Sequence, residues 1–540
     1  MKKLLSLVLS LAMLLSCFTA IAVADEAVMP AIVTISSGEI MGYNDNGLYA
    51  FKGIPYGKAE RFEEATKPDA WEGIVNCLTL GEVCPQDRTL SDGFHVNDAE
   101  WITPAGNDMV GSEKDCLNLN VWTSSMDTTA KKPVVVFMHG GGLHHGSSNE
   151  LAVYDGANFA ATTDCIFVSV NMRLNYLGFL DVSAYGDETY KNSGNLGLTD
   201  MVLALEWVQD NIETFGGDKT NVTLYGQSGG GTKVAALACL PAAEGLFDRV
   251  AIVSGDATYE TAADQRAATA DLVEYLGLTE QDDVIAALKA LSFEELYHAG
   301  KAAGVYEYVQ VDGDYFPSPW YDTETGKMNE LAAKREYLIS SAFSEFSFSG
   351  QKFVLDERFY GAPDMSYFRP NMTDEAKAEA ITAAFGDKEE AVLAAFAEAF
   401  PSHEPLDAIF YCDRTWTMDE FVVPCITNDV KVYSTVIGYN LPLMGGITMW
   451  HSGDIGFWFN SMDRIPYQIK GDEDNAHAVA SAVSSALAAF AATGDPSTET
   501  LKWSPYTAED PVTMVFDTQS YEKTNLDTEL ITLLNEINPY

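Results

Sequence analysis

Residues 222–239 read VTLYGQSGGGTKVAALAC, and the fold follows from how this stretch is read. Val222 to Tyr225 is an apolar strand, and Gly229 to Cys239 is a small-residue helix. Between them, Gly226-Gln227-Ser228-Gly229-Gly230 fits the pattern G-x-S-x-G, a sharp strand-to-helix turn that crowds the backbone. Gly226 and Gly230 remove side chains that would clash in such a turn. The Ser228 hydroxyl is left exposed beside a helix N-terminus. Glycine-rich turns match by chance often; the strand before and the helix after make this one specific.

The same rhythm extends outward in both directions. Pro133 to Met138 (PVVVFM), Cys165 to Asn171 (CIFVSVN), Val250 to Ser254 and Val432 to Gly438 are continuous apolar runs, as expected for strands covered on both faces. Leu198 to Phe215 has helical spacing, with Met201, Leu205, Val208 and Ile212 on one face. Strands alternating with helices predict βαβ units: an α/β protein with a large, mostly parallel central sheet and helices on both faces. Near the N-terminus, Ala31 to Ile40 and Gly47 to Lys52 alternate and read as short antiparallel strands; Leu117 to Trp122 (LNLNVW) reads as another alternating strand. Segments 260–303 and 372–400 are Ala- and Glu-rich and fall outside the strand rhythm. They are expected to be helices inserted over one end of the sheet. Segment 474–493 is an amphipathic helix that Gly494-Asp495-Pro496 stops. With no repeat of fixed period and no long linker, residues 25–540 are expected to form a single domain.

Composition narrows the function classes. The 27 Phe, 25 Tyr and 9 Trp among 540 residues exclude a disordered chain. Against 79 acidic residues stand 32 basic ones, a net charge of −47, which opposes binding to nucleic acid or to an anionic membrane surface. Lys2 and Lys3, the apolar run from Leu4 to Ala24, and Ala22-Val23-Ala24 before Asp25 read as a secretory signal peptide over 1–24. A secreted or otherwise extracytoplasmic protein is therefore expected; a retained membrane anchor and a lipoprotein box ending at Cys17 are the rival readings. No CxxC pair occurs, so a zinc ribbon has no support. Cys84 and Cys116 lie in polar loop sequence and are the best disulfide candidates. Cys412 and Cys425 form a weaker pair, and Cys165 and Cys239 read as buried small hydrophobes.

Three more places carry chemistry. His139-Gly140-Gly141-Gly142 follows PVVVFM directly, and its bare amides suit the oxyanion of an acyl-transfer intermediate. Gly141 and Gly142 are the expected donors from this loop and Gly229 from the serine turn. No Lys-Ser/Thr follows the glycines, so a phosphate loop is excluded. Serine needs a base, and in this fold class the chain order is Ser, acid, His. Only His298, His403, His451 and His477 follow Ser228. His298 and His477 lie in helical patterns, and His403 sits between Pro401 and Pro405, far from any strand. His451 sits in the loop MWHSGD after a strand, where it can reach the strand C-termini, and is the candidate base. For the acid, Glu345 follows the short strand Tyr337-Leu338-Ile339, with Asp312, Asp314 and Glu336 as alternatives. His144-His145 lacks the partner cluster a metal site would need, so pocket-lining or surface roles are favoured. The chemistry calls for neither metal nor organic cofactor.

With these residues in place, the chain resembles the type-B carboxylesterases, the α/β-hydrolase family that also holds cholinesterases and many bacterial esterases. Phe51-Lys52-Gly53-Ile54-Pro55-Tyr56 resembles the family's FxGIPYA opening. Cys84-Pro85-Gln86 and Glu113 to Val121 (EKDCLNLNV) resemble its CPQ and EDCLYLN segments. Gly194 to Asp200 (GNLGLTD), Phe215-Gly216-Gly217-Asp218, Gly313 with Phe316-Pro317, His451 with Asp454-Ile455, and Thr493 to Pro496 (TGDP) resemble further family segments. The resemblance covers nearly all of the chain after the leader. It implies an α/β-hydrolase fold and a serine hydrolase that cleaves small-molecule carboxylic esters through an acyl-enzyme intermediate. An amidase or thioesterase would use the same residues, and some superfamily members are adhesion ectodomains without catalysis. It aligns Glu345 with the family's catalytic Glu and implies a Cys84–Cys116 bridge. Three departures stand out. The turn reads GQSGG for GESAG, the acid segment reads SSAFSEF (340–346) for GxNxDEG, and the loop after Pro55 is shorter and lacks PPxG. Neither the ester nor an oligomeric state is set by these residues.

Overall fold

Lys132–Met138 (KPVVVFM) shows how the architecture is built. Its side chains alternate between two separate hydrophobic cores: Val134, Val136 and Met138 belong to one, Val135 and Phe137 to the other. A strand with period-two side chains and no polar face must lie inside a sheet covered on both sides. The computed structural model describes residues 28–89, 109–345, 372–411 and 414–537. Within them the main sheet has thirteen strands. They are β1 (Met29–Ile35), β2 (Gly38–Asp45), β3 (Leu48–Pro55), β4 (Ile74–Asn76), β5 (Asn118–Thr123), β6 (Lys132–Met138) and β7 (Ile166–Val170). β8 (Gly217–Gln227), β9 (Arg249–Val253), β10 (Glu336–Ala342), β11 (Val432–Ile437), β12 (Val512–Phe516) and β13 (Tyr521–Thr524) follow.

The spatial order is β1-β2-β3-β5-β7-β6-β8-β9-β10-β11-β12-β13, with β4 paired to β2. From β7 through β12 every neighbouring pair is parallel. β1, β2, β3 and β5 at one edge and β13 at the other join antiparallel. Burial follows the pairing. β7, β11 and β12 are buried at every residue, whereas β1 has the burial alternation of a half-exposed edge strand. The first predicted strand, Ala31 to Ile40, is in fact the two arms of a hairpin that turns at Ser36-Ser37, because the alternation runs through the turn without a break.

Helices α1 (Leu196–Asn211), α2 (Gly229–Ala238), α3 (Ala262–Tyr275), α4 (Val284–Ala290) and α5 (Phe293–Ala302) pack residues such as Leu205, Val234, Leu272, Leu288 and Leu296 into the first core. α6 (Asp374–Phe385), α7 (Glu389–Ala399), α8 (Glu473–Thr493) and α9 (Thr528–Ile537) pack Phe385, Phe396, Leu487 and Leu530 into the second. The two helical segments outside the strand rhythm therefore join different cores. α8 is long and apolar enough to cross a membrane by composition, but Val479, Val483, Leu487 and Phe490 are buried against the sheet. Gly494, at φ 76°, ends it with its amide on Phe490 O. The segment GNLGLTD ties the first core together. Asp200 accepts Arg173 Nε and Nη2 at 2.8 and 2.7 Å in a fully buried bidentate pair, and Asn195 exchanges two hydrogen bonds with the Gln310 backbone.

The cysteines depart from expectation. Cys84 and Cys116 are separate, buried thiols, not a disulfide. The neighbouring Cys84 sulfur, together with burial, pushes the Cys116 thiol well above its ordinary range. The Cys84 sulfur also takes the Leu174 amide at 3.2 Å. Cys425 is a buried free thiol, while its proposed partner Cys412, Cys17 and the leader over 1–24 lie outside the described residues.

Candidate active site

Register in the parallel sheet brings several strand ends to one edge. Gly226 sits opposite Met138, Gln227 opposite Val253, and Val253 opposite Ser340. The segments that follow β6, β8, β9, β10 and β11 therefore leave the sheet at the same place, the C-terminal edge where open α/β sheets hold their sites. Each carries a polar residue of the site: His139, Ser228, Ser254, Glu345 and, further along the last segment, His451.

The turn after β8 is as tight as its glycines imply. A Cβ on Gly226 would lie 2.1 Å from Gly230 O, and one on Gly230 would lie 2.0 Å from Met138 O. Ser228 takes φ 58° and ψ −133°, a conformation that costs on the order of 1–3 kcal/mol in a residue with a side chain. Its amide is anchored on Val253 O at 2.9 Å. This strain throws the hydroxyl forward at the N-terminus of α2.

The hydroxyl meets His451, with Ser228 Oγ 2.8 Å from His451 Nε2. The other ring nitrogen, Nδ1, lies 2.5 Å from Glu345 Oε2. Glu345 is itself held. Its Oε1 accepts the Ala342 amide at 2.8 Å and the Ser254 hydroxyl at 2.6 Å, and its carbonyl accepts the His451 amide at 2.9 Å. The last bond fixes the backbones of acid and base to one another, so the imidazole is oriented from both main chain and side chain. The rival acids are elsewhere. Asp312 accepts amides of its own loop at Asp314 and Phe316, and Glu336 pairs with Arg249 and Lys431 at the start of β10. Asp314 faces Lys191 at 4.0 Å.

The glycine loop runs alongside. Gly141 and Gly142 have φ of 84° and 61°, in the left-handed region that favours glycine. Among the described residues no acceptor takes the amides of Gly141, Gly142 or Gly229. A Cβ on Gly140 would lie 3.1 Å from Ser228 Cβ and one on Gly229 would lie 2.4 Å from Gly142 Cα, so the loop that carries these open donors sits against the serine turn. His144 turns aside to a buried carboxylate, with Nδ1 2.6 Å from Glu307 Oε2.

Sequence reasoning missed two residues here. Ser254, at φ 50°, completes the holding of Glu345, yet nothing in its sequence marks it. Only the β9–β10 pairing brings it there. In sequence, Asp454 carries no signal beyond its place in a segment that resembles the family's. It is fully buried, its Oδ2 accepts Trp458 Nε1 at 2.9 Å, and its Oδ1 has no partner among the described residues. Burial, reinforced by the nearby Glu345 charge, pushes its carboxyl up to about 7. His298 and His477 are exposed on α5 and α8. His403 is buried between Asp407 and Asp517, where it stacks on Phe343.

Known proteins share this design. Residues 29–532 match the sequence profile of the carboxylesterase family. The para-nitrobenzyl esterase of Bacillus subtilis is 29% identical over 501 residues, which is 90% of this chain and 95% of that one. Among solved structures, an esterase from anaerobic Clostridium hathewayi, described as able to hydrolyse aliphatic aromatic polyesters, superposes with a TM-score of 0.81 at 31% identity. That match covers 95% of this chain and all of that one. A carboxylesterase of Geobacillus stearothermophilus superposes with a TM-score of 0.70 at 27% identity, covering 93% of this chain and 99% of that one. The chain belongs to the carboxylesterase family and is a serine hydrolase of carboxylic esters on the α/β-hydrolase fold.

Proposed function

We propose that Ser228 is the nucleophile, His451 its general base and Glu345 the acid that orients the imidazole. The observation that carries this reading is the 2.8 Å contact between Ser228 Oγ and His451 Nε2, with Glu345 on the opposite ring nitrogen. Serine is a weak nucleophile until a neighbour takes its proton. Ser228 Oγ attacks the ester carbonyl carbon while its proton passes to His451 Nε2. The carbonyl oxygen becomes an oxyanion, which the amides of Gly141, Gly142 and Gly229 bind. The C–O bond to the alcohol then breaks, and the alcohol departs with the proton from His451. Water repeats the cycle on the acyl-enzyme, releasing the acid and restoring Ser228.

Small-molecule esters are the substrates. The Clostridium hathewayi relative's description, with its likeness along nearly the whole chain, supports aliphatic and aromatic esters as the first panel to try. The leader over 1–24 supports export, with the mature chain starting at Asp25; N-terminal sequencing of the exported protein checks this. The mutual influence of the Cys84 and Cys116 thiols supports a bridge between them only if the protein meets an oxidising compartment.

The test of the site is direct. S228A is expected to lose at least about 10⁴-fold in kcat on an activated aryl ester while unfolding at the wild-type temperature. A fluorophosphonate should label the wild type and leave S228A unlabelled. Full activity in folded S228A would overturn the assignment.

A further inference from the structure

Helix α2 carries a buried side chain for which the proposed chemistry has no use. Lys233 lies downstream of Ser228 on this helix and is completely buried. A buried ammonium is costly unless an anion pairs with it, yet among the described residues no carboxylate lies within ion-pairing reach of Lys233. Burial accordingly pushes its pKa down to about 7. Among the described residues, its ammonium makes one hydrogen bond, to a backbone carbonyl, with Nζ donating to His139 O at 3.0 Å. Protonated or neutral, the amine keeps an N–H for that bond.

The acceptor's position gives the bond its meaning. His139 is where β6 ends and the loop with the Gly141 and Gly142 amides begins. The loop rests on the serine turn through bare backbone. A Cβ on Gly229 would lie 2.4 Å from Gly142 Cα, and one on Gly230 would lie 2.9 Å from His139 O. Facing glycines permit this approach, but they supply no side chain to hold it, and three in a row leave the segment its widest conformational freedom. An alanine at position 229 would force this loop to shift. Lys233 provides the hydrogen bond from α2 to the loop. The His139 ring adds only a local contact, Nδ1 to Gly140 O at 2.9 Å.

We infer that Lys233 is a positioning residue that clamps the His139–Gly140 peptide onto the nucleophile's helix and so fixes where the Gly141 and Gly142 amides meet the oxyanion. This rests on the assignment of Ser228 and of the loop amides. Displacing oriented groups by about 1 Å can cost on the order of a hundredfold in rate. The loss falls on the transition state and the tetrahedral intermediate, since the ground-state ester carries no oxyanion.

Lys233→Met keeps length and apolar bulk and removes the donor. Its expected signature is a kcat lower by about tenfold to a hundredfold with KM within about twofold. Inhibition by phenyl trifluoromethyl ketone, whose adduct with serine mimics the tetrahedral oxyanion, should weaken by a similar factor. A merely structural lysine would shift the unfolding temperature and leave both of these untouched. Should Lys233→Met fail to fold, Lys233→Gln takes the same assays. It retains a neutral donor of shorter reach, and a smaller loss, roughly threefold to tenfold, is expected in kcat and ketone binding alike. A folded variant with kcat and ketone affinity within twofold of wild type overturns the inference, as does a rise in KM alone. The Ser228→Ala result is independent of these outcomes, so failure of the clamp is distinguishable from failure of the site assignment.

Discussion

Glu345 and Asp454 are two buried carboxyls in one active site, and they are furnished in opposite ways. Glu345 is 4% exposed and Asp454 is fully buried, so depth barely separates them. Donors do. The Ala342 amide, the Ser254 hydroxyl and His451 Nδ1 converge on the Glu345 carboxylate. Asp454 has the Trp458 indole on one oxygen and nothing among the described residues on the other. Burial disfavours the charged form of a carboxyl, as it does at Asp454, and hydrogen-bond donors to a carboxylate favour it. The site thus surrounds its working acid with partners that suit an anion. A second acid close by is left in surroundings that suit a proton.

The largest effect should come from removing the anion that carries the comparison. Glu345→Gln keeps the shape and takes away the charge, and an amide can present N–H to His451 Nδ1. The ring would then adopt the tautomer whose Nε2 cannot take the Ser228 proton. A loss in kcat of about 10³–10⁴-fold is expected, with the unfolding temperature little changed. Measuring kcat on an aryl ester checks it. A loss of less than tenfold would mean that Glu345 does not orient the base, and the contrast with Asp454 would have no catalytic meaning.

A smaller effect should follow from thinning the donors around Glu345 without touching its charge. Ser254→Ala removes the 2.6 Å hydroxyl contact and leaves the Ala342 amide in place. One charge-assisted hydrogen bond is worth roughly 1.5–3 kcal/mol, and part of it is recovered by water or by the remaining donor. About a tenfold fall in kcat is expected. Unchanged kcat in Ser254→Ala would show that the amide and the imidazole alone suffice to hold the carboxylate.

How much of this was legible in the sequence depends on the range of the contacts. The serine turn is local: Gly226 and Gly230 face backbone atoms within a few residues or on the adjoining strand end, and the pattern G-x-S-x-G records that crowding directly. His451 was reached through chain order and loop position, both coarse features that survive without coordinates. Its place after a strand and the family resemblance favour Glu345 over Asp312, Asp314 and Glu336, although its neighbours SSAFSEF do not match. Ser254 was out of reach because it meets Glu345 only through sheet register, and register is a long-range property. Cys84 and Cys116 lie in polar sequence that reads as exposed loop, yet both are buried, so polarity of the surrounding residues misjudged their environment. His403 read as remote from any strand; it is buried behind the Glu345 loop, stacked on Phe343 with ring centroids 4.4 Å apart.

The mildest effect on catalysis, and the one that tests the other half of the comparison, belongs to Asp454→Asn. Asp454 makes no hydrogen bond to Ser228 or His451 among the described residues, so kcat near pH 6 should stay within about threefold of wild type. Stability is where the substitution should register. Burial holds the folded-state carboxyl at about 7, above the ordinary 3.8 that it regains on unfolding. Between those values the folded chain binds more protons than the unfolded one, so this group's stabilising contribution is complete below the ordinary carboxylate range. It is lost as pH climbs through about 7. The total at stake is at most about 4 kcal/mol. Asparagine cannot ionise and has no such slope. The unfolding temperature of Asp454→Asn should therefore gain on wild type as pH rises from 5 to 8, whatever the offset between them at pH 5. Parallel melting curves across that range would mean that Asp454 is ionised in the folded protein, and then too few donors would not distinguish it from Glu345.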